Sequence, residues 1–178
     1  MTKVVPPFQA KPMTQGEWDN ALFDLCVIQA SKSPDPSTKV GAVVVTANRE
    51  MFLTGTNRFA PGIAHTPERL ADRDTKLKLI VHAEHEAILS AVNHGVSLRG
   101  ATLYFIAVDR NGRVWGGAPC ARCANAIISV GIKEVRSLPR KNIPSRWQAD
   151  CDFAQEALAE AGVVLAEAGK NWTPKIDI

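Results

Sequence analysis

The chain has 178 residues, 46% hydrophobic and 22% charged, with a formal net charge of +3, enough for one well-buried domain and too short for two ordinary ones. The mild charge and scattered Lys and Arg argue against a protein that lives on long nucleic acid, yet tolerate an anionic small molecule. No apolar run reaches the length of a membrane span, and residues 1–13 lack the apolar core of a signal peptide.

Taken in chain order, residues 1–13 with Pro6, Pro7 and Pro12 read as an extended arm. Thr14-Gln15-Gly16-Glu17 is a capping-box pattern. It opens a helix that places Trp18, Ala21, Leu22, Leu25, Cys26 and Ile28 largely on one side. Pro34 and Pro36 end that helix. The small and β-branched run over 40–46 predicts a buried strand, and a turn over 48–50 leads to a second strand over 51–55. A loop with Pro61 and Gly62 and a charged stretch over 68–78 precede a helix over 82–93. Residues 102–108 predict a third strand, with Asn111-Gly112 as a hairpin turn returning along 113–115. A second helix follows over 120–130. A short strand over 132–136 arrives from a helix and so runs parallel to its neighbour. An amphipathic helix over 147–161 stops at Gly162, and a last strand covers 163–165. Strands alternating with helices predict an α/β fold: a three-layer α/β/α sandwich around a mixed, roughly five-stranded sheet. The domain is expected over 14–166, between an arm (1–13) and a tail (167–178) carrying Trp172 and Pro174.

Two short runs carry the chemistry: His82-Ala83-Glu84 and Pro119-Cys120-Ala121-Arg122-Cys123. Their order is the H-x-E…P-C-x-x-C signature of zinc deaminases. His82, Cys120 and Cys123 supply one nitrogen and two thiolates for Zn²⁺. Three protein ligands leave the fourth tetrahedral position open to water, whose pKa the metal lowers from about 15.7 to about 7. Glu84 is then the acid/base carboxylate rather than a fourth ligand. The bland alternatives for C-x-x-C are a redox pair or half of a structural zinc knuckle, and no second C-x-x-C is present to complete a four-cysteine site. Cys26 and Cys151 lie in apolar helical patterns and read as small core residues. His65, His85 and His94 read as loop or helix-surface residues, and Tyr104 as a core strand residue before a pocket residue. Thiols kept free for metal suit the reducing cytoplasm.

Around these motifs the chain resembles the deoxycytidylate (dCMP) deaminases of the cytidine-deaminase-like superfamily, over about residues 17–166. The likeness includes Asp35-Pro36-Ser37-Thr38-Lys39-Val40-Gly41-Ala42-Val43, Thr66-Pro67-Glu68-Arg69-Leu70 and Lys78-Leu79-Ile80-Val81 ahead of His82. Gly131-Ile132-Lys133-Glu134-Val135 and Arg146-Trp147 fit less specifically. The resemblance implies zinc-dependent hydrolysis of a cytosine nucleotide, dCMP to dUMP plus ammonia, in a homo-oligomer; the charge, aromatic content and hydropathy, rather than the resemblance, argue against nucleic-acid and membrane partners. Glu84 would take the water's proton and deliver it to N3 and the leaving amine. The backbone at Ala83 and Cys120 would hold the base and the attacking oxygen, Asn57 would contact the sugar, and Lys39 is the candidate phosphate contact.

Three departures from the family pattern bear on substrate. Gly-Tyr-Asn-Gly appears here as Gly55-Thr56-Asn57-Arg58, Glu86 stands where asparagine is common, and 109–117 reads as an insertion. Arg58 is offered as an added phosphate contact or a crowding residue, and Arg113 and Trp115 as a pocket cover or a subunit contact. The competing readings are a deaminase of another amino-substituted ring, a nucleic-acid editor and a non-catalytic zinc module. An editor needs stacking aromatics, and aromatic content is 6%.

Overall fold

The computed structural model describes residues 11–141 and 143–175, so the arm expected over 1–13 lies almost wholly outside the described residues. Helix α1 (Gln15–Ser31) opens on the expected capping box: Thr14 accepts from the Glu17 backbone N–H while Glu17 accepts from that of Thr14. Two helix-initiating N–H groups that would otherwise lack partners are thereby satisfied.

Strands β1 (Thr38–Val45) and β2 (Phe52–Thr56) form an antiparallel pair. On its other edge β1 pairs antiparallel with β5 (Thr102–Asp109). Between β2 and β5 the chain forms the two-residue strands β3 (Arg58–Phe59) and β4 (Ile80–Val81), which pair in a small sheet of their own. The charged stretch over 68–78, to which the sequence assigns no element, is largely helical. It forms helices α2 (Pro67–Ala71) and α3 (Arg73–Leu79), opened by the side chains of Thr66 and Asp72. Both are too short and polar to print an apolar period, so only their caps mark them in sequence.

Helix α4 (Ala83–Asn93) leads into β5, the two-residue β6 (Val114–Trp115) pairs with β5, and α5 (Ala121–Ser129) follows. Strand β7 (Glu134–Ser137) runs parallel to β5 as expected, and β8 (Val164–Glu167) parallel to β7, with α6 (Ser145–Glu160) between them. The main sheet has the order β2-β1-β5-β7-β8, with β6 continuing the outer edge of β5 beyond β7. The mixed sheet and its flanking helices agree with the expected three-layer α/β/α sandwich.

Side-chain alternation divides the core in two. Leu103, Phe105 and Ala107 of β5, with Ala42 and Val44 of β1, face α4, α5 and α6. Tyr104, Ile106 and Val108, with Val43 and Val45, face α1. Tyr104 is therefore core: its hydroxyl donates to buried Asp19, which Arg136 also binds. The C-terminal segment returns over the same face, where Trp172 packs on Phe23 and donates through Nε1 to Asp24.

Gly55 sets how closely β2 meets the start of α4. A Cβ there would lie 2.1 Å from the Ala83 carbonyl oxygen and 2.5 Å from the Ala87 nitrogen. Gly55→Ala is expected to push α4 outward and cost about 1–3 kcal/mol, read as a lower denaturation midpoint. Unchanged stability would show that the contact is not tight.

Candidate active site

The two chemistry-bearing runs become two helix starts. His82 is the N-cap of α4 and Cys120 the N-cap of α5, each in extended backbone with no capping bond from its side chain. Both side chains are thus free to turn toward one another. Nδ1 of His82 lies 3.3 Å from Sγ of Cys120 and 3.4 Å from Sγ of Cys123. One donor atom from each of the three residues falls within 4.8 Å of the other two. One imidazole nitrogen and two sulfurs form a borderline-soft donor set that suits zinc, and three ligands leave a coordination position open.

His85 lies one helix position beyond Glu84. Its Nδ1 is 3.5 Å from Sγ of Cys123, yet it does not join that converging group. His65 accepts from the Phe59 backbone N–H and stacks on its ring, a structural post far in sequence from the sulfurs. Cys26 and Cys151 are buried core thiols.

Three contacts hold the helix starts in place. The β3–β4 pairing sets Val81 opposite Arg58, immediately before His82. Arg58 Nε donates to Glu86 Oε1 at 2.7 Å, tying β3 to the first turn of α4. Arg58 and Glu86 are two of the departures from the family pattern, and they are partners. The Asp150 carboxylate of α6 accepts from the Ala121 backbone N–H, capping the cysteine helix from a different element.

Glu84 sits in the first turn of α4, 4% exposed and in the wall of a cavity of about 460 Å³ that also borders His82 and Cys120. Burial raises its carboxyl pKa, and the nearby Cys120 sulfur raises it further. The Cys120 thiol is pushed down to about 4, first by a hydrogen bond from Cys123 and then by His82, against the effect of burial. A thiolate at a helix N-terminus is the protonation state a metal requires.

The other expected site residues divide. Ala83, fully buried, is the first residue of α4 between His82 and Glu84. Asn57 borders the cavity, but its amide is committed to β1: Oδ1 accepts from Val40 N–H at 2.7 Å and Nδ2 donates to Thr38 C=O at 2.9 Å. Lys39 does not border the cavity. Strand alternation puts Val40 on that side and Lys39 on the α1 side, in register with Val108. Sequence reasoning missed Lys76 of α3, which is 8% exposed, donates to Asp35 and Ser37 and lines the cavity. It also missed Trp147 of α6 as a wall residue. The Asp35-Pro36-Ser37 run was the available signal for Lys76, because a buried loop carboxylate requires a cation. Trp115 of the 109–117 segment does line the cavity.

Residues 16–138 match the cytidine and deoxycytidylate deaminase zinc-binding region. The chain belongs to this family of zinc-binding deaminases. The deaminase is 30% identical over 159 residues to an uncharacterized deaminase in the luxG 3' region of Aliivibrio fischeri, covering 89% of this chain and 95% of that protein. It is 30% identical over 164 residues to deoxycytidylate deaminase of Mus musculus, covering 89% of this chain and 82% of that protein. Its fold resembles that of the dCMP deaminase from cyanophage S-TIM5, solved with dCMP and dUMP. That match has a TM-score of 0.58 at 19% identity and covers 89% of this chain and 99% of the phage chain. No helix among the described residues is long and apolar enough to cross a membrane.

Cys120→Ala is expected to abolish stoichiometric zinc binding and to lower stability, since metal binding is coupled to folding. Metal analysis of the purified variant checks this. One zinc per chain in the variant would remove Cys120 from the ligand set.

Proposed function

We propose that this deaminase hydrolyses the exocyclic amine of a cytosine nucleotide, dCMP foremost, to the uracil nucleotide and ammonia. The observation that carries the reading is the convergence of His82, Cys120 and Cys123 beside buried Glu84, in the wall of one cavity. Zinc held by those three residues would supply Lewis acidity and an activated water.

The chain's own residues account for the rest. Glu84 is the titratable group that moves protons: it would carry one from the water to ring N3, where it stays as the N3–H of uracil, and then carry the remaining hydroxyl proton to the amine, which leaves as ammonia as the C4 carbonyl forms. Burial raises the Glu84 pKa above the ordinary carboxylate value, which makes it a stronger base toward the water's proton. The Ala83 and Cys120 backbone is assigned to holding the base and the attacking oxygen. The rings of Phe105, Trp115 and Trp147 border the cavity and keep bulk water from the reacting carbon.

A second reading, deamination of another amino-substituted ring, draws on the 55–58 loop. Both polar ends of the Asn57 side chain are bonded to β1, and Arg58 is paired with Glu86. Fewer groups of this loop are therefore available for the sugar contact that the family pattern implies.

Ammonia release from dCMP, CMP, deoxycytidine and cytosine tests both readings, with Glu84→Gln as control. Turnover of dCMP well above the other three is expected. Glu84→Gln is expected to lose about 10²–10⁴-fold in kcat while keeping zinc. A fully active Glu84→Gln enzyme would remove Glu84 from the mechanism. Turnover of none of the four compounds by the zinc-loaded protein would favour the second reading.

A further inference from the structure

The 109–117 segment does more than roof the cavity. Asp109 caps the hairpin by accepting from the Asn111 and Arg113 backbone N–H groups at 2.8 and 3.0 Å. The hairpin returns to the sheet through two glycines. A Cβ on Gly116 would lie 2.6 Å from the Leu138 carbonyl oxygen, and Gly117 takes a φ of 111°. Gly117 also donates to the buried Ser137 hydroxyl. The hairpin is thus seated on β7, and Arg110 and Arg113 are exposed on its outer side.

What it presents is positive charge beside a second cavity of about 340 Å³. Arg110 and Arg113 of the hairpin and Arg146 at the start of α6 line it, against one carboxylate, that of Asp109. Among the described residues, none of the three guanidinium groups pairs with a carboxylate; the ion pairs of other arginines involve Arg58, Arg136 and Arg140. Three unpaired like charges around one cavity repel each other, an arrangement that an anion relieves.

The two cavities meet at a shared wall. Ser37, Arg110 and Arg146 border both, whereas Arg113 borders the second alone. An anion at the junction reaches Arg110 and Arg146. Only an anion that continues past the junction reaches Arg113. Taking the cytosine nucleotide reading of the zinc cavity as its basis, we infer that the second cavity is a subsite for phosphates beyond the first. The deaminase then accepts a nucleoside di- or triphosphate, with Arg113 binding the outer phosphate. Guanidinium groups suit this role because their forked N–H donors match phosphate oxygens two at a time.

The test compares kcat/KM for deoxycytidine mono-, di- and triphosphate in the zinc-loaded protein and in Arg113→Ala. Lys133→Ala serves as control; it removes the same charge from an exposed position lining neither cavity. The triphosphate-to-monophosphate ratio is expected to fall about tenfold in Arg113→Ala, the scale of one charge-assisted contact, and to hold in Lys133→Ala. Arg146→Ala, at the junction, should lower turnover of all three nucleotides. A ratio equal in the Arg113 and Lys133 variants overturns the subsite. Inorganic triphosphate supplies a readout independent of turnover. It should raise the melting temperature of the wild-type protein more than orthophosphate does, and this difference should shrink in Arg113→Ala. Stabilisation by triphosphate through Arg113 in a protein that deaminates no cytosine nucleotide would support the subsite while removing the substrate reading. No preference for triphosphate over orthophosphate would overturn the subsite itself.

Discussion

Three metal-suited donors from two helix starts must meet within a few ångströms, and much of the surrounding fold serves that meeting. His82 and Cys120 occupy N-cap positions, where the backbone is extended and the side chain is not drawn into capping its own helix. The N–H groups left free at each helix start favour negative charge, which suits two thiolates and a carboxylate. Concentrating that charge is costly unless the helices are held rigidly and a cation is bound, so the contacts around the two starts matter as much as the ligands.

Those contacts come from different layers. Gly55 lets β2 approach the first turn of α4, Arg58 grips Glu86 on the same helix, and Asp150 reaches from α6 to the first N–H of α5. Each removes one way in which a helix could slide. The Arg58–Glu86 pair is part-exposed, so its contribution to global stability is small, roughly 0–1 kcal/mol. Its consequence is positional, since it lies two positions from Glu84 and four from His82.

The cavity wall shows the same division of labour. One face of β5 gives Phe105 and Ala107 to the cavity, while the alternate residues Tyr104 and Ile106 pack on α1. Lys76 neutralises Asp35 and anchors the loop before β1 to the cavity rim. Beyond the rim, the hairpin turns a short insertion into a charged annex that shares Ser37, Arg110 and Arg146 with the wall of the zinc cavity. Phe105, Trp115, Trp147 and buried Glu84 thus line one cavity, and Arg110 and Arg146 stand in the wall that it shares with the second.

Much of this was legible in the chain. The H-x-E and P-C-x-x-C runs act within one or two helical turns, where spacing alone determines which side chains share an end, so the candidate donors, the nearby carboxylate and the family could be read directly. Strand alternation and the Thr14–Glu17 cap are likewise local, and they define the sheet and α1. Helices α2 and α3 escaped because short polar segments carry no apolar period. What the sequence could not determine is which distant residues share a surface. Arg58 and Glu86 looked like two separate departures until packing paired them across 28 positions. Lys39 looked suited to phosphate until strand parity turned it to the α1 face. Lys76, Trp147, Arg110 and Arg146 border the zinc cavity only because α3, α6 and the hairpin close over the same end of the sheet. Local spacing specified the chemistry, and long-range packing decided which other side chains surround it.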